Sequence, residues 1–196
     1  MPRSRSPERG GPRGLSGLSY RLDNLRILIV DDNAHIRTLL RTILMALGVR
    51  AIDLAEDGRS GYEAFCRLDY DIVFTDFEMQ PVGGLDFVDL VRTSRKSPNP
   101  YTPIIMITAF SDRERVMRAR DHGVTEFLAK PFTVESLHKR LTAVIDNPRP
   151  FVRTDSYFGP DRRRREDIGY FGPERRLDTA GVERPAGSPA RAASSR

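Results

Sequence analysis

The sequence predicts an α/β fold: a doubly wound, five-stranded parallel sheet with five helices, flanked by disordered basic tails. Three observations carry this. Short β-branched apolar runs alternate five times with segments whose apolar residues recur at helical spacing, all between Leu25 and Val144. Parallel strands joined this way need right-handed crossovers, which bring helices back over both faces of the sheet. The apolar runs also end on polar residues capable of chemistry, where ligands of open α/β sheets bind. A closed barrel would take eight such units. No Gly-rich phosphate loop follows the first strand, which argues against a dinucleotide fold.

Residues 1–21 carry Pro2, Pro7 and Pro12 with repeated Gly and Ser and almost no apolar content before Leu15. Such a segment cannot bury enough surface to offset its ordering entropy and is expected to be disordered. Leu25 to Val30 reads as the first strand and ends on Asp31-Asp32-Asn33. Apolar positions 36, 39, 40, 43 and 47 then predict a helix, with Gly48 as its stop. Val49 to Ala55 is the second strand and Glu56-Asp57-Gly58 a turn. Arg59 to Leu68 is the second helix, with Tyr62, Phe65 and Cys66 directed inward.

Ile72-Val73-Phe74-Thr75 is a buried third strand that stops on Asp76, followed by a loop and a helix over Leu85 to Thr93. After the proline-rich stretch Ser94 to Pro103, Ile104 to Ile107 forms the fourth strand and ends at Thr108. Ser111 with Glu114 reads as a capping box for a helix over roughly 112–121, closed by Gly123. Val124 to Leu128 is the fifth strand, then Lys130-Pro131-Phe132, and Thr133 caps the last helix. Pro148 and Pro150 are expected to end the domain, giving an extension over 1–21, a domain over 22–148 and a mostly disordered Arg-rich tail over 149–196.

Charge divides along the same lines. Each tail carries an excess of +4, so the overall +5 leaves −3 for residues 22–148; the basic character belongs to the tails. The single cysteine, Cys66, cannot form an intrachain disulfide and reads as a small core residue of a reduced, cytoplasmic protein. No apolar run approaches the roughly 18 residues needed for a membrane span, and the Arg-rich start lacks the hydrophobic segment of a secretion signal. His35, His122 and His138 share no metal-ligand spacing and read as solvated.

The strand ends supply the chemistry. Asp31, Asp32 and Asp76 would place three mutually repelling carboxylates at one sheet edge, a costly arrangement unless a cation shares it. A hard divalent ion with oxygen ligands, Mg²⁺ foremost, meets that need. A phosphoryl group could complete its shell, Lys130 could balance phosphate charge, Thr108 could donate to a phosphate oxygen, and one carboxylate could be the nucleophile. As a bland alternative, Asp31-Asp32-Asn33 serves only to cap a helix.

Five elements taken together resemble the receiver domain of two-component response regulators, with the flavodoxin-like order of a chemotaxis-type, stand-alone regulator. They are Ile29-Val30-Asp31-Asp32, Ala55-Glu56-Asp57-Gly58, Asp76 with Met79 and Gly84, Thr108-Ala109, and Lys130-Pro131-Phe132, spanning residues 25–146. The resemblance implies Asp76 as phosphoacceptor, Asp32 as a direct Mg²⁺ ligand, Asp31 as an outer-sphere helper, and the Glu78 backbone carbonyl also on the metal. It further implies that Lys130 pairs with the phosphoryl group, and that Thr108 moves toward it while Phe127 follows as the switch aromatic. Two positions depart from the pattern: Gln80 stands where proline is usual, with Pro81 one later, and Phe127 replaces a common tyrosine.

The implied protein is a phosphoacceptor, not an enzyme in its own right, charged by a sensor histidine kinase or histidine phosphotransfer protein. It would signal to a downstream protein through the fourth helix, fifth strand and fifth helix, including Arg118, His122 and Lys139. The tail contains a short repeat, Tyr157-Phe158-Gly159-Pro160-Asp161-Arg162-Arg163 and Tyr170-Phe171-Gly172-Pro173-Glu174-Arg175-Arg176. No helix-turn-helix pattern follows Ile145, so DNA is not the expected partner. Aromatics beside arginines leave an alternative in which the receiver regulates a basic tail that binds RNA or another polyanion. Membrane insertion is not expected.

Overall fold

A computed structural model describes residues 22–109, 113–161 and 181–183. The N-terminal extension, the Ser111–Glu114 capping box and the second copy of the tail repeat lie outside the described residues.

The strands are β1 (Arg26–Val30), β2 (Ala51–Ala55), β3 (Ile72–Asp76), β4 (Ile104–Thr108) and β5 (Glu126–Ala129). The helices between and after them are α1 (Ala34–Ala46), α2 (Gly58–Arg67), α3 (Gly84–Thr93), α4 (Arg113–Asp121) and α5 (Val134–Asp146). All five strands are parallel, in the order β2-β1-β3-β4-β5. The chain begins at β1, builds outward to β2, then returns to place β3 on the other side. The order therefore reverses between β1 and β3, where a crevice opens at the carboxyl ends of the strands.

Alternation along the strands divides the core in two. Ile27, Ile29, Phe74, Ile105 and Ile107 point to one face and pack with Leu40 and Leu44 of α1 and Leu137, Leu141 and Val144 of α5. Leu28, Val30, Val73 and Met106 point to the other, against Phe65 of α2, Phe87, Val88 and Val91 of α3, and Ala119 of α4. Covering both faces removes water from β1, β3 and β4, which is why their sequences are continuous apolar runs. Edge strand β2 is only partly buried.

Helix starts follow local side-chain chemistry. Asn33 accepts from the His35 and Ile36 amides at 2.9 and 3.4 Å, so Asn33 caps α1 and the two acids before it are not consumed by that role. Asp57 with Ser60 and Thr133 with Ser136 form reciprocal capping boxes on α2 and α5. At the end of α4, Gly123 has φ of 93°, and the amides of Gly123 and Val124 donate back to Arg120 and Ala119.

Two expectations are corrected. Leu39 is 46% exposed, because α1 buries the Leu40–Leu44 stripe and the neighbouring position rotates away from the sheet. Cys66 is exposed too, since Phe65 takes the inward position of that turn.

Past Pro148 the described residues form a second, antiparallel sheet. This sheet comprises β6 (Phe151–Arg153), β7 (Phe158–Pro160) and β8 (Gly181–Glu183) in the order β7-β6-β8. Strands of three residues are too short to show a period of two, and their Gly, Pro and Arg neighbours carry a disorder-like composition. Among the described residues, no helix is long and apolar enough to cross a membrane.

Candidate functional site

β1, β3 and β5 deliver the site. Asp31 follows the last residue of β1 and is fully buried; Asp76 ends β3 and is 7% exposed; Lys130 follows the last residue of β5. The Lys130 ammonium stands between the two acids, with Nζ 2.7 Å from Asp76 Oδ1 and 3.1 Å from Asp31 Oδ2. The remaining carboxylate oxygens are held by backbone: the Asn33 amide donates to Asp31 Oδ1 at 2.8 Å and the Glu78 amide to Asp76 Oδ2 at 3.0 Å. Both acids are thus fixed in direction by two donors each.

Burial pushes the Asp76 carboxyl above its ordinary value, against the opposing pull of Lys130; the nearby Asp31 charge adds to the rise, and the Glu78 amide works against it. For Lys130, burial works to lower the ammonium, but the Asp76 and Asp31 carboxylates outweigh it and the net direction is upward. Two carboxylates sharing one ammonium, with exposed Asp32 beside them, leave the site with excess negative charge.

Thr108 ends β4 and is 6% exposed; its carbonyl accepts the Lys130 amide at 2.7 Å, tying the two residues together through the backbone. Phe127 is half-buried on β5 in register with Met106, and packs at the edge of the core that includes α3 and α4. The β3–α3 loop contains one cis peptide bond, Gln80–Pro81; Lys130–Pro131, after β5, is also cis. Met79 of that loop is 4% exposed and belongs to the same core.

Of the expected site residues, the structure gathers Asp31, Asp76 and Lys130. Among the described residues no three His, Cys, Asp or Glu side chains converge closely enough to grip a metal, because Lys130 occupies the position between two of the acids and Asp32 is solvent-exposed. Glu78 touches Asp76 through its amide. The donor types nevertheless suit a hard cation: carboxylate oxygens in excess of local positive charge.

His122 differs from its expected solvated state, with Nδ1 2.6 Å from Asp89 Oδ1 of α3; His35 and His138 are exposed. Arg118 and Lys139 lie exposed on α4 and α5.

One supporting residue was not anticipated. Arg37 of α1 donates to the Asp31 carbonyl and lies 3.8 Å from Glu56, bracing the turn that carries Asp31. Its position, one helical turn after a strand-end acid, was the available signal.

Fold and site together define a CheY-like receiver: a doubly wound sheet of five parallel strands with an acid ending the middle strand and a lysine reaching it from the edge. The chain belongs to the response regulator receiver domain family, whose model matches residues 27–142. Chemotaxis protein CheY-3 of Vibrio cholerae is 32% identical over 123 residues, covering 63% of this chain and 93% of that protein. Chemotaxis protein CheY1 of Helicobacter pylori is 32% identical over 122 residues, covering 62% and 97%. The structure of response regulator CheY4 of Vibrio cholerae superposes with a TM-score of 0.57 at 31% identity, over 61% of this chain and 98% of that one. The protein is therefore a receiver-domain response regulator of two-component signalling, extended at both ends.

Proposed function

We propose that Asp76 accepts a phosphoryl group from the phosphohistidine of a sensor kinase or histidine phosphotransfer protein in the cytoplasm. The observation that carries this reading is the Lys130 ammonium bridging Asp76 and Asp31 at 2.7 and 3.1 Å in the switch-point crevice. In the transfer, an Asp76 carboxylate oxygen forms a bond to phosphorus as the P–N bond of the donor breaks, and the electron pair of that bond returns to the imidazole nitrogen. Lys130 opposes the burial-driven rise of the Asp76 carboxyl before transfer and faces the added phosphate charge afterwards. Thr108, tied to Lys130 through the β4–β5 ladder, supplies a hydroxyl to a phosphoryl oxygen.

Asp31, Asp32, Asp76 and the Glu78 carbonyl would hold Mg²⁺, which when bound offsets the charge that accumulates on the phosphoryl oxygens. The chain is on this reading a phosphoacceptor with self-catalysed transfer, and residues 22–148 are the unit that performs it. Output passes to a downstream protein through α4, β5 and α5.

The polyanion-binding alternative finds no support in the first tail repeat, whose aromatics are engaged elsewhere: Phe158 packs on Tyr101 and Phe151, and the Tyr157 hydroxyl donates to the Pro160 carbonyl.

Acetyl phosphate or phosphoramidate with Mg²⁺ tests the proposal. One base-labile acyl phosphate on the intact protein, absent from Asp76→Asn, is the expected result. Undiminished labelling of Asp76→Asn overturns the assignment.

A further inference from the structure

The first tail repeat sits in a seat built for it. Phe158 meets Tyr101 edge-on at 5.3 Å and Phe151 at 5.6 Å, while Tyr101 and Phe151 meet at 5.2 Å, making a closed aromatic trio. Beneath the trio lies buried Arg92 of α3, with its guanidinium 5.1 Å from the Phe151 ring and donating to the carbonyls of Gly123, Pro100 and Thr102. Gly159 comes so near the receiver that a Cβ on it would lie 2.8 Å from the Gly123 Cα and 2.5 Å from the Tyr157 hydroxyl. Only glycine fits there. Pro160 is buried and accepts from the Tyr157 hydroxyl at 2.8 Å, closing the motif on itself.

Tyr157, Phe158 and Gly159 therefore each have a distinct contact that suits the residue present, and Pro160 is buried beside them. The chain carries the same four residues again as Tyr170-Phe171-Gly172-Pro173, and in both copies an acid and two arginines follow. One seat and two matching keys lie on the same chain.

We propose that this seat is a receptor for the Tyr-Phe-Gly-Pro segment as such, and that Tyr170–Pro173 occupies it in exchange with Tyr157–Pro160 of the same chain. The tethers permit it. β7 and β8 flank β6 on opposite edges, so the chain leaves the described sheet and returns to it beside the same strand. With the second copy seated beside β6, residues 174–180 must reach the start of β8, a distance of roughly 12 Å from strand spacing and rise. Seven residues can extend to about 23 Å. On the other side, residues 154–169 form a longer loop out of β6, and loop-closure entropy grows only slowly with length. A tethered copy competes at high effective concentration, which favours exchange within the chain over exchange between chains.

Hydrogen exchange on the full chain, read over residues 149–154, tests this with Phe158→Ala, Phe171→Ala and the double variant. Each single variant should exchange within about 3-fold of the parent, because the other copy takes the seat, while the double variant exchanges at least about 10-fold faster. A Phe158→Ala segment as fast as the double variant overturns the proposal, and so does a double variant no faster than the parent.

Disulfide trapping provides an independent reading should Phe158→Ala unfold the chain. With exposed Cys66 replaced by Ser, Tyr101→Cys and Phe171→Cys should link within one chain, as Tyr101→Cys and Phe158→Cys do. A linked dimer, or no link where the Phe158→Cys pair links, counts against exchange in the same chain.

Discussion

Gly84 lies against the main chain of Asp76 so closely that a Cβ on it would stand 1.9 Å from the Asp76 carbonyl oxygen. The first residue of α3 is thus packed onto the last residue of β3, and its amide donates to the Phe77 carbonyl at 3.1 Å. This contact sets where the acceptor carboxylate emerges from the strand. Gly84→Ala must push α3 or the β3 end aside, at a cost of about 1–3 kcal/mol. We expect a lowered denaturant midpoint together with slowed acetyl-phosphate labelling. Unchanged labelling with lowered stability would separate packing from acceptor placement.

Asp76 also sets a pH dependence. Burial raises its folded-state carboxyl above the unfolded value, so the stability associated with its protonated form is complete below the usual carboxylate range and is lost as pH climbs through the raised value. At neutral pH, without added metal, the ionised acceptor is a net burden. Asp76→Asn should then be more stable than the parent at pH 7–8 in the presence of a chelator, with the gain shrinking toward pH 4. Parallel unfolding titrations across this range check both sign and window.

Lys130 joins two carboxylates that otherwise face each other across the crevice. Lys130→Ala removes a donor from both and should cut small-donor phosphorylation by about 10²-fold, the loss typical of a deleted oxyanion partner. Asp32→Ala acts differently. It leaves the Lys130 contacts intact and should weaken Mg²⁺ binding and phosphorylation in step, as seen by metal titration of the unphosphorylated protein.

Much of this was legible in the sequence because buried parallel strands are continuous apolar runs and their ends are chemically conspicuous. Ile72 to Thr75 could be little else, and Asp76 follows it directly. The fifth strand was placed early by two residues: the Val124 amide still closes α4 on Ala119, and Thr125 meets Ile104 just before the regular ladder begins at Glu126. What stayed hidden depends on three-dimensional neighbours. Nothing around Arg92 in the sequence distinguishes a guanidinium buried under Phe151 from an exposed helical one, and residue types alone do not reveal that Lys130 reaches both Asp31 and Asp76. The strands of the second sheet are short, and their stability comes from contacts with Tyr101 and Gly123, far away in sequence.

Arg92 is accordingly the most sensitive residue outside the acceptor crevice. Burial draws its guanidinium down to about 9, partly offset by Tyr157, so it remains charged at neutral pH with carbonyl oxygens as its hydrogen-bond partners. Arg92→Met keeps the bulk under Phe151 but leaves those carbonyls unsatisfied, at a cost of about 3 kcal/mol. A lowered thermal midpoint with intact acetyl-phosphate labelling is expected.

On the proposed function, Phe127 is the residue that links Asp76 to the output face and to the tail. It stands on β5 beside Met106 of β4, two residues before the strand end that ties Thr108 to Lys130. It also lines a small cavity with Arg120, Val124, Thr125, Arg149, Tyr157 and Pro160, so any rotation of its ring changes a wall shared with the first tail repeat. On the proposed function, phosphate at Asp76 would add charge that Thr108 and Lys130 meet by moving toward it, and the volume Thr108 leaves would admit the Phe127 ring. For a switch from mostly inactive to mostly active, phosphorylation must favour the second state by about 5 kcal/mol. Amide exchange with and without a beryllofluoride mimic should then show changes in α4, β5, α5 and the β6–β7 hairpin together. Phe127→Ala should keep acceptor labelling within about 3-fold of the parent while silencing those distant changes. If exchange changes stay confined to the Asp76 loop in the parent protein, Phe127 does not carry the signal.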